Sequence, residues 1–302
     1  MPTDLDTPMA SLSNWVMPIL FSSLALGFYD ICKKHAVRDN AVTPVLFLAT
    51  FSGSAFYLVV TLAMGNFLAY AKCDFPTWLL IALKSALVAG SWWCVYYSMR
   101  DLPISLAGPV RASSPLWTLM GALLIYREWP TLIQAVGMAT VLAGYYRFSE
   151  LGKLEGITLR HRGVILLMLG TLLGAASALY DKYLLGIIMI PRTTLQFWFS
   201  VNLVVVIGAA LLVTSLGKME ARRFEWRWTI VVTGILLIVA DWLYFYALSV
   251  PGRQISILSL VRRSNCVVSF AFGCWFFHDR NVKDKALALA LIIIGVMVLA
   301  LS

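Results

Sequence analysis

An all-α integral membrane fold, ten transmembrane helices arranged as two inverted five-helix repeats, is predicted by three observations on this 302-residue chain. Apolar residues make up 60% of it and charged residues 13%, with a mean hydropathy of +0.82, whereas soluble domains are roughly 45–50% apolar. Ten apolar windows follow one another, each near the roughly 20 residues needed to cross a bilayer core. The first half of the chain can also be laid on the second at a shift of 151 residues, the self-similarity of a duplicated unit. Composition thus excludes a soluble globular protein and a disordered one. A net charge of +9 would suggest nucleic acid as partner of a soluble chain. Here the bases lie mostly in short loops between apolar runs, which membrane topology explains better, so no nucleic acid is expected.

The segment 1–14 carries Asp4 and Asp6 but no Lys or Arg, so it reads as a short polar tail without the basic start of a secretory signal. The first repeat, 15–147, is expected to hold spans at 15–32, 43–64, 78–99, 104–126 and 131–146. A polar, charged loop at 148–163 is the one plausible domain boundary. The second repeat, 164–302, is expected to hold spans at 164–185, 194–214, 229–248, 255–277 and 286–301. Gly27, Pro109, Pro115, Gly121 and Gly137 fall inside spans; lipid-embedded helices tolerate them, and small residues let helices approach closely. Trp15, Trp78, Trp129, Trp226 and Trp228 stand at span ends, as an interfacial belt requires. Of the Lys and Arg residues, 15 fall in loops on one face, 4 on the other and 5 inside spans. The positive-inside rule makes the richer face cytoplasmic and puts both termini outside.

The repeat is carried by particular residues. Tyr29-Asp30 falls on Tyr180-Asp181, Ile104-Ser105 on Ile255-Ser256, Val110-Arg111 on Val261-Arg262, Ser113 on Ser264, Gly144 on Gly295 and Glu128 on Asp279. Around the third and eighth spans the shift is 149, which brings Trp93 and Tyr97 onto Trp242 and Tyr246. Five spans per half is an odd number, so the halves enter the membrane from opposite sides. Inverted repeats around a midplane site are a recurring plan of secondary transporters, because exchange of the two halves' conformations gives alternating access.

Ten spans as five plus five, the short Arg100 to Pro103 link, the acid closing the fourth span in Tyr126-Arg127-Glu128, and Gly137 and Gly144 in the fifth together resemble the drug/metabolite transporter superfamily, in its EamA-like branch. The resemblance covers almost the whole chain. It implies a ten-span permease with no cofactor in a bacterial inner membrane, whose third and eighth spans line a central cavity. It also implies cytoplasmic termini, against the charge count. Arg262-Arg263 resembles the Lys-Arg pair that phosphate-translocating members carry in the ninth span, with Arg here in place of Lys.

Ionisable groups inside spans are costly and are functional candidates by default. With a rise of about 1.5 Å per residue, Arg111 and Arg262 lie about 10 Å deep from opposite faces. Together with Arg263 they could clamp an anion through guanidinium forks. Asp30 lies at the depth of Arg111, and Asp181 at that of Arg262, so each Arg could instead neutralise the acid of its own repeat. Asp241 is then left to pair with Arg263 or to carry a coupling proton. Lys84 and Lys182 are expected to snorkel to the interface. Tyr29 and Tyr180 adjoin buried acids at matched positions, and Trp92, Trp93, Tyr96, Tyr97, Trp242, Tyr244 and Tyr246, deeper in the third and eighth spans, either pack against lipid or stack part of a ligand. The expected partners are the bilayer, a small anionic or zwitterionic solute, and a coupling proton or counter-substrate.

Five cysteines without a C-x-x-C pair and three histidines far apart in sequence offer no disulfide framework and no metal site. G-x-S-x-G, H-E-x-x-H and Walker-type loops are absent from the sequence. His35 to Asp39 is one residue short of the H-x-x-x-x-D arrangement of glycerolipid acyltransferases. A multi-pass enzyme acting on lipid, for which no second motif accompanies this one, a channel and a structural membrane protein are the alternatives to a transporter; neither of the last two requires a full-length inverted duplication.

Overall fold

The computed structural model describes residues 8–101, 113–150, 162–216, 223–265, 268 and 282–301, and every regular element among them is helical. In chain order these are α1 (Pro8–Val37), α2 (Val42–Ala63), the short α3 (Phe67–Ala71), α4 (Phe75–Asp101), α5 (Ser114–Tyr126) and α6 (Leu132–Glu150). They are followed by α7 (Arg162–Lys182), α8 (Arg192–Leu216), α9 (Trp228–Ser249), α10 (Ile255–Arg263) and α11 (Val282–Leu301). A π-helical turn, Tyr183–Ile187, extends α7. Six described stretches are long and apolar enough to cross a bilayer: Trp15–Val37, Val42–Ala63, Phe75–Ser98, Arg162–Ile187, Arg192–Ser215 and Trp228–Ser249. Ser114–Tyr126, Leu132–Gly144 and Ala290–Leu299 are shorter apolar helices.

The boundaries differ from expectation in two places that matter for charge. Helix α1 runs past residue 32 to Val37, which moves Lys33 from the expected loop onto the helix. Helix α6 runs on through Glu150, into the expected linker. The first part of the span expected at 104–126, including Arg111, and most of that expected at 255–277 beyond α10 lie outside the described residues.

The helices interlock across the sequence midpoint. α1 packs along α9 and α4 along α7; α2 lies against α8 and α9; α4 also meets α8; α5 crosses α7 and α10; α6 runs along α11. Lipid tails are as apolar as the side chains, so such packing rests on close van der Waals fit and interhelical hydrogen bonds rather than on exclusion of water. Gly53 and Gly234 supply the closest approach, between α2 and α9. A Cβ at Gly53 would stand 2.5 Å from the Gly234 carbonyl oxygen, and one at Gly234 would run into the Ala49 carbonyl. Gly295 faces the Gly137 carbonyl in the same way where α11 meets α6. Gly234→Ala should therefore cost about 1–3 kcal/mol as overpacking against backbone, read as a lower unfolding temperature in detergent. Gly90→Ala, whose Cβ would meet nothing nearer than 3.7 Å, should not.

Several buried hydroxyls are satisfied locally or across helices, as a medium without water favours. Thr50, Ser85, Thr171 and Thr233 each donate to the carbonyl four residues earlier. Ser22 donates to Ala240 O, Ser91 to Gly170 O and Ser54 to Ser200 O, fixing the levels of α1 on α9, α4 on α7 and α2 on α8.

One end of the molecule is built around Asn40, which is 1% exposed. Its Nδ2 donates to the Ala36 and Glu225 carbonyls, and its Oδ1 accepts from the Ala41 and Glu225 amides. Arg227 donates to the carbonyls of His35 and Arg38, which α1 leaves open at its C-terminus. The end of α1 and the starts of α2 and α9 thus meet at what we term the basic end. Helices α4 and α8 start at the opposite end. There Asp74 precedes α4, and its hydrogen bonding to Thr77 holds its carboxyl below the usual carboxylate range.

Candidate functional site

A narrow cleft with room for a water-sized molecule lies between α2, α4, α8 and α9, with Thr50, Ser54, Trp92, Ser200 and Asp241 among its lining residues. At its end away from the basic end, four charges gather. Asp241 on α9 is paired with Arg262 on α10, whose guanidinium lies 4.2 Å over the Tyr244 ring. Lys84 on α4 is paired with Asp181 on α7, their side chains 3% and 5% exposed. The Lys84 ammonium also sits 4.2 Å from the Phe199 ring and 5.1 Å from the Phe245 ring. Asp181 lies within electrostatic range of Asp241 and Arg262, so the two pairs form one group with two acids, two bases and no net charge. Burial makes this arithmetic necessary, because a lone ion in a medium of low dielectric costs several kcal/mol and pairing offsets much of that.

Two further clusters flank the group. Lys182, at the end of α7, is paired with Glu128, donates to the Arg253 carbonyl at 3.2 Å and lies 5.3 Å from the Tyr126 ring. Tyr126 Oη donates to the Leu179 carbonyl at 2.6 Å, so the ends of α5 and α7 are bound together. Nearer the basic end, Asp30 on α1 is paired with Lys33 at 3.2 Å and accepts from Asn265 Nδ2 at 2.7 Å. Lys33 lies 4.7 Å from the Tyr29 ring and 5.6 Å from that of Tyr96.

Asp181, Asp241 and Arg262 are thus brought together, but with partners other than those expected. Asp181 takes Lys84 instead of Arg262, because α7 packs along α4. Asp241 takes Arg262 instead of Arg263, because α10 follows α9 after a short turn and folds back beside it. Arg263 donates to Ser114 Oγ at 3.3 Å. Lys84 does not snorkel; it is 2% exposed. From the expected span start at residue 78 its depth is already about 9 Å, the one sequence signal that spoke against an interfacial position. Lys182 and Lys33 also engage acids. Arg111 lies outside the described residues.

The aromatic candidates divide. Tyr29 is buried beside Lys33. Tyr180 stacks on Tyr183 and donates to the Leu80 carbonyl at 3.3 Å. Trp93 stacks on Tyr97 at 5.1 Å, and Trp242, 39% exposed, lies beside Tyr246. Neither Trp93 nor Trp242 lines the cleft, whereas Trp92 does. One residue is 100° of helix rotation, so an uncertainty of a single position separates cleft from periphery.

The sequence model of the EamA-like transporter family matches residues 13–149. No curated protein matches the chain. A solved structure described only as "Crystal structure of protein" superposes with a TM-score of 0.73 at 16% identity, covering 96% of this chain and 95% of that one. At that identity the likeness concerns the fold.

Proposed function

We propose that this chain, a member of the EamA-like transporter family of the drug/metabolite transporter superfamily, is a secondary carrier that moves a small anionic or zwitterionic metabolite by alternating access. The observation that carries this reading is the neutral four-charge group at the end of the cleft, drawn from α4, α7, α9 and α10. A solute carboxylate or phosphate that reaches Arg262 can replace Asp241 there, and an ammonium can replace Lys84 at Asp181. A zwitterion that does both frees Asp241 and Lys84 to face one another, so every buried charge stays compensated, whereas an anion alone brings a net charge of −1 that a proton on the released Asp241 offsets. Resetting the group takes a proton on a released acid or a counter-substrate. Arg263 and Arg111, with Tyr29, Tyr180, Trp93, Trp242 and Asp30, complete the proposed set around this path.

The carrier has, on this reading, ten spans as two inverted repeats, 15–147 and 164–302. The packing supports it through exchange: α1 on α9 corresponds to α7 on α4, α2 on α9 to α8 on α4, and α5 on α7 to α10 on α1. The contacts of α2 with α8, α5 with α10 and α6 with α11 correspond to themselves. The proposed location is a bacterial inner membrane, with the basic end cytoplasmic by the positive-inside rule.

The test is thermal unfolding of the purified protein in detergent across organic phosphates, carboxylates, amino acids and lipophilic cations, followed by flux of any hit in proteoliposomes. A ligand at 100 times its Kd stabilises by about 2.7 kcal/mol. Stabilisation by anions or zwitterions, with flux, is expected; stabilisation by lipophilic cations alone would overturn the anionic or zwitterionic assignment.

A further inference from the structure

We propose a second binding station, outside the four-charge group, at the end of the α2–α8–α9 groove away from the basic end. Arg192, Gln196 and Tyr57 form it, and it takes a small monocarboxylate with a hydrogen-bond donor beside the carboxylate. Its place on the solute's route rests on the carrier reading, but its occupancy does not.

Gln196 is fully buried, and neither its amide nitrogen nor its amide oxygen has a hydrogen-bond partner. Leaving such a group unsatisfied costs about 1–3 kcal/mol per buried donor or acceptor, and in a helix packed among apolar neighbours an Ala or Leu would avoid the cost. Tyr57, 6% exposed, has an unpartnered hydroxyl as well. The two are brought to one level by the Ser54 to Ser200 hydrogen bond, because α2 and α8 run in opposite directions and each residue lies one turn beyond that bond toward the same end. Gln196, Phe199, Ser200 and Leu203 share one stripe of α8, and the last three line the cleft. Tyr57 packs with Phe197 and with the cleft residue Ile238.

The charge comes from Arg192, one turn before Gln196 and within electrostatic range of Tyr57. Its guanidinium lies 4.2 Å from the Tyr246 ring and 5.8 Å from the Trp242 ring. No carboxylate of the described residues forms an ion pair with it. A guanidinium this close to an aromatic ring is held by it without an ion pair, and its N–H donors remain for a planar oxyanion. One uncompensated cation matches a monoanion rather than a dianionic phosphate. The Arg192 edge, the Gln196 Nε2 and the Tyr57 Oη are donors suited to carboxylate oxygens, and the Gln196 Oε1 is an acceptor that only a ligand hydroxyl or ammonium would fill. Counterparts of these residues are missing in the first repeat: the shift of 151 places Arg192 on Ala41 and Gln196 on Val45.

The experiment uses the full chain in detergent and three probes of one shape: lactate, propionate and lactamide. Lactate should raise the unfolding temperature saturably, propionate should bind about tenfold more weakly for want of the donor, and lactamide should give no shift at the same concentration. Gln196→Leu should unfold at a higher temperature than the parent without ligand and bind lactate no better than propionate. Tyr57→Phe, which removes one oxygen and keeps the ring, should weaken lactate three- to tenfold, and Arg192→Gln at least tenfold. The proposal is overturned if none of the probes shifts the parent, if lactate and propionate bind alike, or if lactate binding is unchanged in both Gln196→Leu and Tyr57→Phe. Lactate binding with these dependences, in a protein whose proteoliposomes pass no solute of the wider panel, would sink the carrier reading and leave the station standing.

Discussion

Replacing Lys84 with methionine should destabilise the protein by about 3–5 kcal/mol, and adding Asp181→Leu to it should return most of that loss. The side chains of this pair are 3% and 5% exposed, so removal of the ammonium leaves a carboxylate that neither water nor lipid can solvate. The Lys84 stem and ammonium also fill space against Phe199 and Phe245, which an unbranched methionine occupies without a cavity. Once both charges are gone, the desolvation term has gone with them. Unfolding in detergent across the single, the other single and the double variant gives the coupling directly. Flux separates the two roles a buried pair can have. A pair that serves only as packing would leave the double variant transporting at the parent rate. The carrier reading expects a double variant that folds and transports at least tenfold more slowly, because half of the four-charge group is gone.

Asp241→Asn should reduce flux about a hundredfold while lowering stability by only about 2–3 kcal/mol, less than the deeper pair, because Arg262 keeps 21% of its side-chain surface. Asparagine retains the shape and one acceptor for the guanidinium, so the loss isolates charge. Arg262→Lys is the complementary change. It conserves charge and removes the planar guanidinium that donates to Asp241 and rests on Tyr244. Stability should fall by less than in Asp241→Asn, yet the affinity for an anionic solute should fall about tenfold. Equal transport by the parent and both variants, with folding intact, would show that the Asp241–Arg262 pair has no part in translocation.

Class and length scale were legible before any coordinates, because burial in lipid acts on composition and on windows of about 20 residues. The long apolar helices at Trp15–Val37, Val42–Ala63, Phe75–Ser98, Arg162–Ile187, Arg192–Ser215 and Trp228–Ser249 follow the expected windows closely. The helix ends did not. An end at residue 32 leaves Lys33 in a loop, yet its ammonium meets Asp30 one turn earlier on the same helix, and a base with an acid at that spacing continues a helix rather than ends it. Trp92 and Trp93 illustrate the remaining ambiguity. Both are apolar neighbours at the same depth, and the direction in which α4 faces decides which one meets the cleft. Gln196 carries a weaker signal: an amide in the first turns of a helix, just ahead of a long apolar run.

The sequence by itself determined that the chain is a helical membrane protein whose first half matches the EamA-like transporter family, and that a handful of charges lie within its apolar windows. Those charges could be ranked by depth, because depth is a count of residues multiplied by a fixed rise. Only the tertiary structure decided which charges meet. Partner choice depends on how each helix is rotated and which helices adjoin it, and these are set by contacts such as Gly53 on Gly234 and Ser54 on Ser200, far apart in the chain. Hence Asp181 faces Lys84 and Asp241 faces Arg262, pairings that equal depth permitted and only packing could select.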